Sequence, residues 1–286
     1  MKYQIWLLYH TVFFTSLVFG LDQCLNRDEE CGSVDEQRQN ENVIDHGGWR
    51  TNRQNVVGLE GPCNIPRLDA QHLSQGEFLK KYAYAEPIII YNIDNSEFAR
   101  LTERQKMLED WREERVVLSS ANTYSYTRVP STFGDYLETH LRPQSLESLG
   151  NETLYLFGDI DPTTWKPLLD KYRQPQYKLP GHTAALSFGL AGAGTGVPFH
   201  FHGPGFAEVV HGSKRWFLYE PDREINFNPD KSTLEWYLHE YPKLPEEEKP
   251  RECLLRPEEA IYFPDKWWHA TLNAETSVFI STFLSP

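Results

Sequence analysis

The chain has 286 residues, 40% hydrophobic and 14% aromatic, which is ample core material for one large or two ordinary domains. A formal charge of −13 argues against a nucleic-acid partner, because neutralising phosphates needs a basic face and the sequence shows none. Beyond the first twenty residues no apolar run approaches the roughly 20 residues needed to span a bilayer, so the processed chain is expected to be soluble.

The N-terminus reads Met1-Lys2, a mostly apolar run over 5–19, then Gly20 with Val18 two residues before it. This is the pattern of a secretory signal peptide over 1–20, too short and too interrupted by His10 and Thr11 for an ordinary membrane helix. Residues 21–70 are rich in Asp, Glu, Asn, Gln and Gly and predict a loosely ordered arm that carries three of the four cysteines. In the oxidising compartment that a signal peptide implies, an even cysteine count favours disulfides. Of the three possible pairings, Cys24 with Cys31 and Cys63 with Cys253 is preferred, and no Cys-x-x-Cys suggests zinc. Asn151-Glu152-Thr153 is an N-glycosylation acceptor in a predicted loop.

From 71 to 286 the sequence predicts one main domain. Ser74-Gln75-Gly76-Glu77 forms a capping box ahead of Phe78, Leu79 and Tyr82, opening a helix that Pro87 ends. Ile88-Ile89-Ile90-Tyr91 reads as a buried strand. Phe98, Leu101, Leu108 and Trp111 mark a second helix, and Phe133, Tyr136, Leu137, His140 and Leu141 a third. From His182 the pattern changes to short β-like runs at 183–188, 197–202, 207–211, 214–219, 260–263 and 277–283, with one helical insertion near 232–241.

The residues that carry chemistry lie in this β-rich half. In Phe199-His200-Phe201-His202 two imidazoles one residue apart share one side of an extended chain, and His269 from a later strand can join them around one metal ion. Gly212-Ser213 suits a two-residue hairpin turn. That turn pairs His211 with Lys214 and Val209 with Trp216, which puts Glu208 on the face opposite Lys214. His182, His211 and His239 lie outside any motif and read as structural or surface residues.

His200-Phe201-His202, then Gly212 to Trp216, then Tyr262-Phe263-Pro264-Asp265-Lys266-Trp267-Trp268-His269 running on to Leu272-Asn273, together resemble the jumonji-C (JmjC) domain. The resemblance covers 71–286 and implies a mainly β fold of the cupin class, a double-stranded β-helix with its core at about 182–286 and with N-terminal and inserted helices. It implies an Fe(II) and 2-oxoglutarate oxygenase site in which His200 and His269 are metal ligands and Lys214 holds the co-substrate. The family's carboxylate ligand is here His202, and the polar residue many members carry near the end of the last strand is here Phe283. These departures predict a degenerate site with little or no oxygenase turnover, in a regulatory, protein-binding member. The alternative is an active hydroxylase of a lumenal protein through His200, His202 and His269. With the signal peptide, the expected location is the endoplasmic-reticulum lumen, or the exterior.

Overall fold

The computed structural model describes residues 47–49, 61–124, 126–150 and 152–286. The signal peptide, Cys24, Cys31 and Asn151 lie outside the described residues. Among these residues, twelve strands form two sheets. They are β1 (Arg67–Asp69), β2 (Ile88–Tyr91), β3 (Arg115–Ser120), β4 (Arg128–Thr132), β5 (Leu154–Ile160), β6 (Thr183–Ala191), β7 (Gly205–His211), β8 (Lys214–Tyr219), β9 (Arg251–Leu255), β10 (Glu259–Phe263), β11 (Trp268–Asn273) and β12 (Ser277–Ser285). The large sheet has the order β1-β2-β10-β7-β12-β6-β5-β3-β4 and the small one β11-β8-β9. The small sheet lies over the middle of the large one, giving the double-stranded β-helix that the JmjC resemblance implies.

Side-chain alternation builds the layers. Along β10, Ile261 and Phe263 point between the sheets, where they meet Ala207 and Val209 of β7 and Trp216 and Leu218 of β8. Ala260 and Tyr262 take the other face, and Tyr262 packs there with Phe78 of helix α1 (Gln75–Lys81). Ile88-Ile89-Ile90 is apolar throughout because β2 is buried on both sides: Ile89 between the sheets, Ile88 and Ile90 under α1. Ser74 caps α1 by accepting a hydrogen bond from the Glu77 amide. The outer face of the small sheet is covered by the inserted helix Thr233–His239, whose Leu234 and Trp236 pack on Phe217 and Leu272.

Several expectations need correction. The stretch expected as one helix from Phe98 to Trp111 is two, α2 (Ser96–Leu101) and α3 (Arg104–Trp111), interrupted where Thr102 turns its hydroxyl back onto the Phe98 carbonyl. The end of the expected arm is ordered, since β1 pairs in parallel with β2 and Cys63 is disulfide-bonded to Cys253. The largest correction concerns Gly212-Ser213. Instead of joining a hairpin, it carries the chain from one sheet to the other: β7 pairs with β10 and β12, and β8 with β11 and β9. Gly212 sits at φ +76°, and a Cβ there would run into the Thr276 carbonyl, so the corner needs glycine. A register shift between Val278 and Phe279 places a β-bulge beside His211. His211 therefore turns away from Lys214 and hydrogen-bonds Thr102 Oγ1 and the Ala99 carbonyl, as a structural histidine. Among the described residues, no helix is long and apolar enough to cross a membrane.

Candidate metal centre

β11 is the edge of the small sheet, and residues 195–200 run along its free side without forming a full strand. Asn273 donates its amide to the Thr195 carbonyl (2.7 Å), Thr271 to that of Val197 (2.9 Å), and His269 and His200 exchange both backbone hydrogen bonds (2.9 and 3.1 Å). The stretch expected as a strand at 197–202 is thus an extended strap with one bridge. Its alternation survives: Phe199 packs outward on Trp236 and Tyr219 while His200 and His202 point inward. Asn273 fastens the strap through its side-chain amide, which donates to Thr195 O and Oγ1 (3.0 Å each).

The structure brings His200, His202 and His269 together, with their ligand atoms within 4.8 Å of one another. Each ring is fixed the same way: His200 Nδ1 lies 2.8 Å from the Pro198 carbonyl, His202 Nδ1 2.8 Å from that of Gly203, and His269 Nδ1 2.9 Å from that of Trp267. A carbonyl only accepts, so each Nδ1 carries the hydrogen and each Nε2 presents a lone pair. Burial lowers the pKa of all three; His200 comes down to about 4, and His269, fully enclosed and beside the other two imidazoles, falls well below its ordinary value. At neutral pH the cluster is three neutral donors. No carboxylate belongs to it among the described residues.

Aromatic rings hold the donors in place. Phe263 stacks on His269 (4.9 Å between centroids), Trp216 stacks on both, and Phe283 meets His202 edge-on at 5.0 Å. Lys214, 4% exposed, enters the same cavity from β8. Its ammonium has no hydrogen bond or ion pair among the described residues and lies 3.0 Å from the centroid of the Phe279 ring. Burial draws its pKa well down. Glu208 does face away from Lys214, although the hairpin that predicted this does not exist. Its carboxyl sits between Asn95 Nδ2 and the Tyr172 hydroxyl, each 2.9 Å away. Phe157 and Phe279 escaped sequence reasoning, yet the period of β12 holds a signal for the latter. Val278 and Ile280 go to the helical side, so Phe279 must go inward.

The chain is 51% identical over 242 residues to the JmjC domain-containing protein 8 of Rattus norvegicus, covering 83% of this chain and 89% of that protein. The chain belongs to the JmjC-domain family. A lysine-specific demethylase of Arabidopsis thaliana, JMJ21, is a more distant JmjC relative, 27% identical over 244 residues that make up 74% of this chain and 24% of that one. The fold matches the X-ray structure of Escherichia coli ycfD with a TM-score of 0.50 at 17% identity, over 75% of this chain and 53% of that chain. No family model matches. The chain is thus a JmjC-domain protein related to 2-oxoglutarate oxygenases and demethylases.

The JmjC fold implies a divalent metal and 2-oxoglutarate, and the residues here fit them unequally. The three Nε2 atoms fit a metal: their directions converge, their protonation is right, and two of them oppose each other without a hydrogen between. The co-substrate fits poorly. Lys214 is in position, but Phe279 covers its ammonium and the cavity measures about 30 Å³. An apolar cavity of about 150 Å³ is what accommodates benzene, and a five-carbon dicarboxylate is larger.

Proposed function

We propose that this is a lumenal, metal-binding JmjC protein that acts through protein contacts and has little or no oxygenase turnover. His200, His202 and His269 hold one divalent ion, with Fe(II) the ion the family implies. The observation that carries the reading is the convergence of three neutral imidazoles, each locked by its own backbone carbonyl, with no carboxylate in the cluster. Three neutral ligands leave the bound ion at a net charge of about +2, where two histidines and a carboxylate would leave about +1. Iron in such a site would supply Lewis acidity, and oxygen activation when co-substrate is bound. The residues of this chain orient the ion, exclude water with Phe263, Trp216 and Phe283, and keep protons off the three Nε2 atoms.

The secretory pathway is supported by the leader-like sequence at 1–20, the acceptor at Asn151 and the Cys63–Cys253 bond, which an oxidising compartment favours. In that setting the partner is a secretory-pathway protein. The test is anaerobic reconstitution of the full mature chain with Fe(II), followed by oxygen and 2-oxoglutarate. One iron per chain, lost in His269→Ala, with no succinate released, is the expected result. Oxygen-dependent succinate release that disappears in His269→Ala would instead show oxygenase turnover and favour the active-hydroxylase reading.

A further inference from the structure

The aromatic residue on Lys214 has a seat built for it. Phe157, Gly189 and Phe279 are lateral neighbours on β5, β6 and β12, with the glycine in the middle. The Phe279 ring lies over Gly189, where any Cβ would collide with it, and meets the Phe157 ring at 5.5 Å between centroids. Covering a strand glycine with a flanking aromatic is ordinary sheet packing. What is not ordinary is where the ring continues. It reaches the ammonium of Lys214, a cation with no other partner among the described residues and 4% exposed. Phe283 lies 6.3 Å from Phe157 by ring centroids, so three phenyl groups line the space between Lys214 and the histidines.

An ammonium over an aromatic face is attracted by the ring quadrupole, more strongly when water is excluded. The contact thus replaces part of what a carboxylate would give. It also fills the place a carboxylate would take. The remaining cavity, about 30 Å³, has room for roughly two water molecules.

We propose that Phe279 is a built-in plug that closes the co-substrate place of this fold, so that the site takes a metal ion with water-sized ligands and rejects five-carbon dicarboxylates. The proposal rests on reading Lys214 and the three histidines as an altered oxygenase site, and it goes further by naming the residue that sets ligand class. Exchange of the missing carboxylate alone, His202→Asp, then fails to bring 2-oxoglutarate into the cavity.

The test measures 2-oxoglutarate binding to the full mature chain by ligand-observed NMR and by thermal shift, with Co(II) and without metal. Wild type is expected to show no binding. Phe279→Ala is expected to gain at least about a tenfold affinity over the detection limit, and the gain disappears in Phe279→Ala with Lys214→Met. Phe279→Val, which keeps a branched apolar group over Gly189 but withdraws from Lys214, serves if the alanine variant fails to fold. Wild type binding as tightly as the variants overturns the proposal, and so does silence in both folded variants. Because binding is also read without metal, failure of the histidines to hold an ion leaves the Phe279 result standing by itself.

Discussion

His202 and His269 present their Nε2 atoms to each other at 3.2 Å, and neither atom carries a hydrogen, because both Nδ1 atoms donate to backbone carbonyls. Two lone pairs at that distance repel. A cation between them turns the repulsion into two bonds, at metal–nitrogen lengths of about 2.0–2.1 Å. Divalent metal should therefore stabilise the folded chain, by RT ln(1 + [M]/Kd), and the stabilisation should grow with metal concentration. Thermal denaturation with Co(II) or Zn(II) should show a rising midpoint in wild type and a clearly smaller rise in His202→Ala, which keeps two of the three donors. An equal rise in both would place the ion elsewhere.

Two buried groups give opposing pH dependences. Burial holds His200 down to about 4 from 6.5, so within that window the unfolded chain takes up a proton that the folded one refuses. Stability from this source is complete above pH 6.5 and lost as pH falls toward 4. Burial pushes Glu208 up to about 7 from 4.5, so the folded chain keeps a proton that the unfolded one releases. That contribution is complete below pH 4.5 and lost as pH rises through 7. Glu208→Gln removes the second dependence. Metal-free Glu208→Gln protein should gain stability between pH 4.5 and 6.5 more steeply than wild type in denaturant titrations, and parallel slopes would contradict the assignment.

The buried ion pair of Arg215 with Glu252, 3.0 Å apart with both side chains 1% exposed, ties β8 to β9, and Tyr241 from the insertion donates its hydroxyl to the same carboxylate. Removing one partner strands a charge, at a cost of about 3–5 kcal/mol. Glu252→Ala should lose that much stability. Arg215→Met with Glu252→Leu should recover a good part of it, since apolar replacement of a whole buried pair is often neutral. A double variant no better than the single one would show that the pair contributes beyond mutual neutralisation.

The Cys63–Cys253 bond spans a sequence separation of 190 residues and fastens the segment before β1 to β9. Cross-links over long separations constrain the unfolded chain most, and removing a native one costs about 2–5 kcal/mol. Cys63→Ser with Cys253→Ser should show that loss in urea, and dithiothreitol should reproduce it on wild type. No change in midpoint would mean that the bond constrains little.

Much of this was legible in the residues. The Ile88-Ile89-Ile90 run, the Ser74 cap and the strands at 214–219 and 277–283 follow from local patterning; His200, His202 and His269 could be grouped from their strand spacing, and Lys214 joined them only through the JmjC resemblance. Strands β1, β3, β4, β5 and β9 were not: Pro130 interrupts β4, Gly158 interrupts β5, and β1, β3 and β9 are short runs mixed with Arg, Asp, Glu or Ser that read as loop as readily as strand. Gly212-Ser213 misled because a sheet-to-sheet corner uses the same turn chemistry as a hairpin, and only the partners of β7 and β8 distinguish them. Phe279 could be assigned a direction from β12, but its ring's reach to Lys214 depends on Gly189, ninety residues earlier.

X-ray absorption on the Co(II)-loaded full chain tests the three-histidine centre most directly. The prediction is one cobalt per chain with three imidazole nitrogens, dropping to two in His202→Ala. A carboxylate in the coordination sphere, or a spectrum unchanged by that substitution, would contradict it.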